Sequence, residues 1–506
     1  MLESQHSGQN ANHVALHGAF AMSIRTNTIF LTAASIVQKG ISFFYFVILA
    51  QQYGAQAIGQ YSYALACTTI FSILIDGGLT PVLIRTIARG DGEVFLYLRR
   101  FLKIKIGLLL ITLIGITLVI FGIDRAREVW VLICAGAVVM IIDSINLTLF
   151  GVLRGFQNLK FESVGIICAQ IISFTIGIIA AYQHASIVFP VIGLSIGSMA
   201  HLGFAVFGLR RVSVRVAGAV VEPTGLSVQV APSPSLRILA REAAPFFLAG
   251  IFARGYSFLD VVILGAVSFT ASGLYSVPNK LTYAFQFIPL SLAASLYPAF
   301  SKLLHEDVGA AASRWRDSQR YLLCAVIFIV SAVIALSRRL LGFYGSEFQV
   351  AEVTLIILSI SLLFSFISYP TGALLNAAGK QHLQTIAMGC TFFSNAALNF
   401  ILIPRLGPVG AAISAVAGNL ILFSIGLWYA HTRVLILPWK EVLYDAVKIL
   451  MLGLITGICI KFSSMFLPWF VAGSIGAVIY AALICYSGIV SYTDVLQFVW
   501  QRFKKI

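Results

Sequence analysis

Two basic residues stand inside stretches that are otherwise suited to hydrocarbon. Lys39 lies in SIVQKGISFFYFVILA (35–50) and Arg254 in GIFARGYSFLDVVILG (250–265). The stretches superpose without a gap at an offset of 215, which matches Gly40 with Gly255, Ser42 with Ser257 and Phe43 with Phe258. One residue of slippage later, IGQYSYA (58–64) lies over SGLYSVP (272–278), matching Gly59 with Gly273, Tyr61 with Tyr275 and Ser62 with Ser276. Arginine can hold phosphate oxygens through two parallel N–H bonds, and lysine acts on the same oxygens as a point charge. The acidic residues able to answer these cations are Asp76, Asp143 and Asp260, each set in an apolar run. Two chemistries are open. Lys39 and Arg254 line a central cavity that takes an anion, or they neutralise Asp76, Asp143 or Asp260 in buried pairs that lock helices together. A proton or sodium relay through the aspartates is a third, lesser reading, and no other cofactor is expected.

The elements that must position these residues follow from composition. Hydrophobic residues make up 59% of the 506 and charged ones only 10%, far below the charged fraction of a soluble domain. A spanning helix needs roughly 20 apolar residues, and such runs recur from residue 29 nearly to the end. Lipid leaves every backbone N–H and C=O to be paired within its own segment, so the class is an all-α integral membrane protein. The runs are too long and too uniformly apolar for the alternating strands of a barrel. Breaks at charges, prolines and polar turns divide the chain into about fourteen spans near 29–50, 61–84, 104–123, 129–152, 163–182, 186–208, 243–267, 277–301, 320–337, 350–377, 383–403, 409–431, 443–467 and 469–491.

The repeat groups these spans. Six spans separate the two copies, so they share one orientation and are related by an axis along the membrane normal, an arrangement found in transporters with a substrate path between lobes. The expected domains are a tail (1–28), an N-lobe of six spans (29–208), a linker (209–242), a C-lobe of six spans (243–431) and an appended helix pair (432–506). A weaker echo joins GVLRGFQNLKF (151–161) to GALLNAAGKQHL (372–383). Arg85, Arg89, Arg99, Arg100, Lys103 and Lys105 flank the second connection, Arg210, Arg211, Arg215, Arg237 and Arg241 the sixth, and Lys302, Arg314, Arg316 and Arg320 the eighth. Arg433, Lys440 and the C-terminal Arg502, Lys504 and Lys505 continue the pattern, which predicts both termini to be cytoplasmic. The net charge of +15 is then a topology signal and an attraction to anionic lipid, with no nucleic-acid partner implied.

Other motifs carry less. The N-terminal stretch has no basic region leading into a short apolar core, so no signal peptide is expected. His6, His13 and His17 are irregularly spaced and read as part of a solvated tail, without a metal site. Seven cysteines lie within spans without a CxxC pair and read as small apolar packing residues. Asn146, Gln170, Gln286, Asn376, Asn395, Asn399 and Asn419 suit interhelical hydrogen bonds. Pro278, Pro289 and Pro298 could bend the eighth span. Lys39, about ten residues into its span, sits roughly 15 Å deep, where a charge on an isolated helix costs at least about 2.5 kcal/mol, so it must face protein or water.

The set QQYGAQAIGQYSYA, DGGLTPVLIRTIAR, LRGFQNLKFES, LDVVILGAVSFTASGLYSVPNKL, FYGSEFQVA, GALLNAAGKQHLQ and IPRLGPVGAAISA, spread over about 25–430, resembles the polysaccharide transporter family of the multidrug/oligosaccharidyl-lipid/polysaccharide flippase superfamily. The resemblance implies a flippase, not an enzyme, that moves an undecaprenyl-pyrophosphate-linked oligosaccharide from the cytoplasmic to the periplasmic leaflet of a bacterial inner membrane, for O-antigen or exopolysaccharide assembly. It implies alternating access, membrane lipid and polysaccharide polymerase machinery as partners, and a cationic cavity to which Lys39 and Arg254 correspond. Asp76 and Asp260 bring negative charge close to that zone. A multidrug exporter of the same superfamily is the alternative, although its cavity would favour cations. A membrane polymerase or ligase is less well matched, because the odd-numbered loops are short and carry no catalytic cluster.

Overall fold

The computed structural model describes residues 24–89, 94–122, 127–219 and 236–489. The histidine-bearing tail, the middle of the polar linker (220–235) and the C-terminal basic residues lie outside them. The described chain is helical, with no strand among the described residues, and thirteen helices are long and apolar enough to cross a membrane. By contacts the chain divides into two compact units, residues 1–262 and 263–506.

The first unit begins with α1 (Ile24–Asp76), a helix of 53 residues whose only non-helical residue is Gly54 at φ 75°, ψ 176°. The first two expected spans are therefore two helical segments joined at Gly54, and the connection expected at 51–60 is reduced to a kink at that residue. A polar run marks a membrane boundary in sequence, but the chain needs only a single glycine in the left-handed region to turn there. The second expected span, 61–84, is itself broken: α1 ends at Asp76, Gly77 and Gly78 take φ 58° and 71°, and α2 (Leu79–Arg89) continues. The unit goes on through α3 (Val94–Gly122), α4 (Arg127–Gly155), α5 (Lys160–Tyr182), α6 (Val188–Ala219) and α7 (Leu236–Val267), which carries the boundary between the units.

Small residues let these helices approach. A Cβ on Gly197 of α6 would collide with Ser173 Oγ and lie 2.6 Å from the Ala169 carbonyl oxygen of α5. The core at one end of the unit gathers Val82 and Leu83 of α2, Phe101 of α3, Phe150, Val152 and Leu153 of α4, Ala205 of α6 and Leu239 of α7. On α3 the opposite stripe, Ile106, Leu110, Ile114, Leu118 and Phe121, is 58–75% exposed, as a surface facing lipid requires.

The second unit follows with α8 (Phe269–Tyr283), a 3₁₀ turn (Ala284–Gln286), α9 (Phe287–Glu306), α10 (Val308–Gly342), a 3₁₀ segment (Ser346–Ala351), α11 (Glu352–Ala377), α12 (Gln381–Leu406), α13 (Pro408–Arg433), α14 (Trp439–Phe466) and α15 (Trp469–Tyr486). Its core centres on Phe300, Trp315, Leu374, Ala430 and Leu437. Trp315 donates to Thr371 Oγ1 at 3.2 Å and Gln319 donates to the Ile367 carbonyl at 2.9 Å, so α10 and α11 are joined by buried polar contacts. The appended pair is fixed to α10: Gly453 of α14 packs on Ile327, and Arg320 donates twice to Asp445 Oδ2, at 2.9 and 3.0 Å. Arg320, assigned from sequence to a loop signal, is thus an ion-pair residue within a helix.

The internal repeat has a structural counterpart. Ser268, an extended residue (φ −157°) that separates α7 from α8, stands 214 residues after Gly54, the offset of the second repeat segment. Tyr61 and Tyr275, matched at the same offset, are 5% and 1% exposed. The eighth span tightens into a 3₁₀ turn at Ala284–Gln286 and continues as one helical run to Glu306. All seven cysteines are free.

Candidate functional site

All five sequence candidates fall in the first unit. Lys39 stands fifteen residues from Ile24 and fifteen from the Gly54 kink, about 22 Å along the axis from either. Arg254 stands eighteen residues from the start of α7 and thirteen from its end. Both are therefore near the middle of their helices. Both are exposed, and among the described residues neither enters an ion pair. Beside Lys39 the space is open, since a Cβ on Gly40 would meet nothing within 4 Å. On α7, Ser257 lies one turn on from Arg254 and is exposed with it, its hydroxyl donating to the Ala253 carbonyl at 2.9 Å. A cation halfway along an apolar helix, exposed and without a carboxylate among the described residues, needs water or an anionic partner.

The aspartates are placed differently. Asp76, at the end of α1, accepts from Lys105 Nζ at 2.8 Å and from the Thr80 hydroxyl, and Lys105 also reaches Thr80 Oγ1 at 3.4 Å. Lys105 is 6% exposed at its side chain and Asp76 17%. Sequence reasoning counted Lys105 as a loop charge and offered Lys39 or Arg254 to Asp76. The counter-charge is Lys105, eleven residues inside α3. The signal available was position: in LRRFLKIKIGLLL, Lys105 is the cation closest to the uninterrupted apolar run.

The helix break that holds Asp76 is itself built by close approach. A Cβ on Gly78 would strike the Ala243 carbonyl oxygen and lie 2.6 Å from the Phe247 nitrogen of α7. Glycine at 78 is thus required by both its φ and its neighbour. Arg85 of α2 pairs with Glu242 of α7 at 2.5 Å, one residue from the same contact.

Asp143, midway along α4, is exposed and lies beside Asn146 and Ser198. Asp260 is 7% exposed and accepts from the Val261 amide at 2.7 Å. None of Asp76, Asp143 and Asp260 is bridged to Lys39 or Arg254 by a described ion pair. LRGFQNLKFES holds a further, half-buried pair: Arg154 donates to both carboxylate oxygens of the buried Glu162, the Nε contact at 2.9 Å, and closes the turn between α4 and α5. Asn27 of α1 donates to the Gln157 carbonyl and accepts from the Leu159 amide at 3.2 Å in the same turn. Among the described residues no three His, Cys, Asp or Glu side chains are placed to hold a metal.

Comparison with known proteins supplies the context. A family model described as polysaccharide biosynthesis protein matches residues 24–304. Among curated proteins, the chain is 21% identical over 427 residues to the uncharacterized membrane protein MJ1375 of Methanocaldococcus jannaschii, covering 80% of this chain and 98% of that one. It is 29% identical over 194 residues to the probable flippase AglR of Haloferax volcanii, covering 37% and 40%. Among solved structures it resembles the lipid II flippase MurJ in an inward closed conformation, with TM-score 0.67, 16% identity and coverage of 92% of this chain and 100% of that one. It also resembles an inward-facing multidrug resistance MATE family transporter of the MOP superfamily, with TM-score 0.63, 14% identity and coverage of 86% and 99%. At these identities the structural likeness speaks to the fold.

Proposed function

This chain belongs to the polysaccharide biosynthesis protein family, and from that premise we propose that it is a flippase for a lipid-linked oligosaccharide whose phosphate is received by Lys39 and Arg254. The observation that carries the reading is the state of these two cations: central in their helices, exposed, repeated in both copies and without a carboxylate partner among the described residues. A lipid pyrophosphate is anionic and its sugars are polar, so neither crosses hydrocarbon unaided. A hydrated cationic path lowers that barrier while the polyprenyl tail stays in lipid. No covalent step is required, in keeping with a transporter.

The cargo is proposed as a polyprenyl-pyrophosphate oligosaccharide moving from the cytoplasmic to the outer leaflet by alternating access, with both termini cytoplasmic. The likeness to the lipid II flippase MurJ and to the probable flippase AglR supports the cargo class. AglR comes from an archaeon, so the proposal rests on a polyprenyl phosphate carrier in a prokaryotic cell membrane, with O-antigen or exopolysaccharide assembly as the narrower form. Within this proposal Asp76, Asp143 and Asp260 are the groups through which a proton or sodium would couple, Asp76 being also the partner of Lys105. The fold is equally that of a multidrug exporter. Two unpaired midplane cations disfavour organic cations as cargo.

The test is complementation of a flippase-null strain, scoring surface polysaccharide at matched expression. Wild type is expected to restore the polymer and Lys39→Ala and Arg254→Ala to lose it, with Lys39→Arg retaining function and Lys39→Gln failing. Full activity of both alanine variants contradicts the anion role.

A further inference from the structure

At the end of the second unit opposite to Arg314, Arg316, Arg433 and Lys440, a recess of about 410 Å³ is lined by Ala335, Leu336, Arg338 and Arg339 of α10, Gln349, and Lys461, Ser464 and Met465 of α14. It combines three cations with an apolar wall and contains no carboxylate. The side chains converge from separate elements: α10 contributes its last two turns, the 3₁₀ segment Ser346–Ala351 contributes Gln349, and α14 its last turn and a half. Among the described residues none of Arg338, Arg339 and Lys461 is in an ion pair, and Glu352 accepts instead from the Ser337 hydroxyl at 2.7 Å. Arg338 Nε donates to Gln349 Oε1 at 3.2 Å and one Arg339 nitrogen to the Leu467 carbonyl at 3.1 Å. These bonds hold the two guanidinium groups at the recess while most of their N–H donors remain available.

The level in the membrane is marked by aromatic side chains. Trp469, first residue of α15, stands 6.3 Å from the Phe343 ring and 5.9 Å from Phe470, a cluster of the kind that sits at headgroup depth. By the charge asymmetry of the loops this is the outer end, where basic residues are ordinarily scarce. Among the described residues of the unit, that end carries Arg338, Arg339, Arg405 and Lys461, and three of these four meet in one recess. Charge placed against the topological bias, left unneutralised and gathered around an apolar wall needs a cause in ligand chemistry.

We propose that this recess is a binding site for the phosphate of an anionic membrane lipid, held by Arg338, Arg339 and Lys461 with an acyl or prenyl chain against Leu336 and Met465. The volume suits a headgroup, and the paired arginines supply the planar donors that phosphate oxygens accept. The site is separate from Lys39 and Arg254, and its occupancy does not depend on what the protein transports. It ties a lipid to the junction of α10 with the appended pair, whose other end is fastened by Arg320 and Asp445.

The experiment uses the full chain in nanodiscs of phosphatidylcholine, with native mass spectrometry counting retained phosphatidylglycerol against added inorganic phosphate and polyprenyl phosphate. Wild type is expected to retain one tightly held phosphatidylglycerol. The triple variant R338Q/R339Q/K461Q should bind it at least about tenfold more weakly, the loss of a few charge-assisted contacts. Lys302→Gln, which removes an exposed cation at the other end, should leave binding unchanged. Retention of the bound lipid at wild-type strength by the triple variant overturns the site. Displacement by inorganic phosphate at the same concentration as by phosphatidylglycerol overturns the lipid. Displacement by polyprenyl phosphate in preference to phosphatidylglycerol identifies the carrier lipid as the occupant and upholds the site.

Discussion

Lys105 and Lys39 are both lysines embedded in apolar helices of the first unit, and their surroundings are opposite. Lys105 is buried, 2.8 Å from Asp76 and within reach of Thr80, in a cluster whose charges sum to zero. Lys39 is exposed and enters no ion pair among the described residues, and Arg254 repeats that state in the second copy. The difference separates a charge that the fold has satisfied from one that it has left for something else. A buried pair holds helices, and removing one partner leaves an uncompensated ion. An exposed intramembrane cation contributes little to packing and must be justified by what passes it.

The comparison is broken most severely at its closed side. Asp76→Ala should destabilise the chain by about 3–5 kcal/mol by stranding Lys105, and a D76L/K105L double variant should recover most of that loss. Thermal unfolding of the detergent-solubilised chain reads both, and equal stability of Asp76→Ala and wild type would remove the distinction. Next in size, Lys39→Gln and Arg254→Gln should each lower transport roughly ten- to a hundredfold, equivalent to losing charge-assisted bonds of about 1.5–3 kcal/mol, while unfolding shifts little. Gly78→Ala should cost about 1–3 kcal/mol, because the added methyl meets the Ala243 carbonyl and φ stays positive. Smallest is Arg85→Gln: its partner Glu242 is 42% exposed, like Arg85 itself, so the loss should stay below about 1 kcal/mol.

Much of this was legible in the residues. Hydropathy alone implies helices across a membrane, and the offset of 214 that aligns Tyr61 with Tyr275 also aligns Gly54 with Ser268, where each copy turns. Lys39 and Arg254 announced themselves because a lone cation in an apolar run has no local explanation. Other features were hidden by the limits of one-dimensional reading. That the connection at 51–60 shrinks to a kink is decided at Gly54 alone. Lys105 follows Arg99, Arg100 and Lys103, and nothing in that row says which cation turns inward until the Gly77–Gly78 break brings Asp76 to it. The recess of Arg338, Arg339 and Lys461 joins residues more than a hundred positions apart, with no motif to link them.

The central claim is that Lys39 and Arg254 are unpaired because a lipid-borne phosphate pairs them. Its most direct measurement is the affinity of the full chain, in phosphatidylcholine nanodiscs, for a polyprenyl pyrophosphate, comparing wild type with K39Q/R254Q across a range of salt. The double variant should bind at least about tenfold more weakly and show a shallower loss of affinity with salt, as two charge contacts disappear. Equal affinity and an equal salt slope in the two proteins would contradict the account.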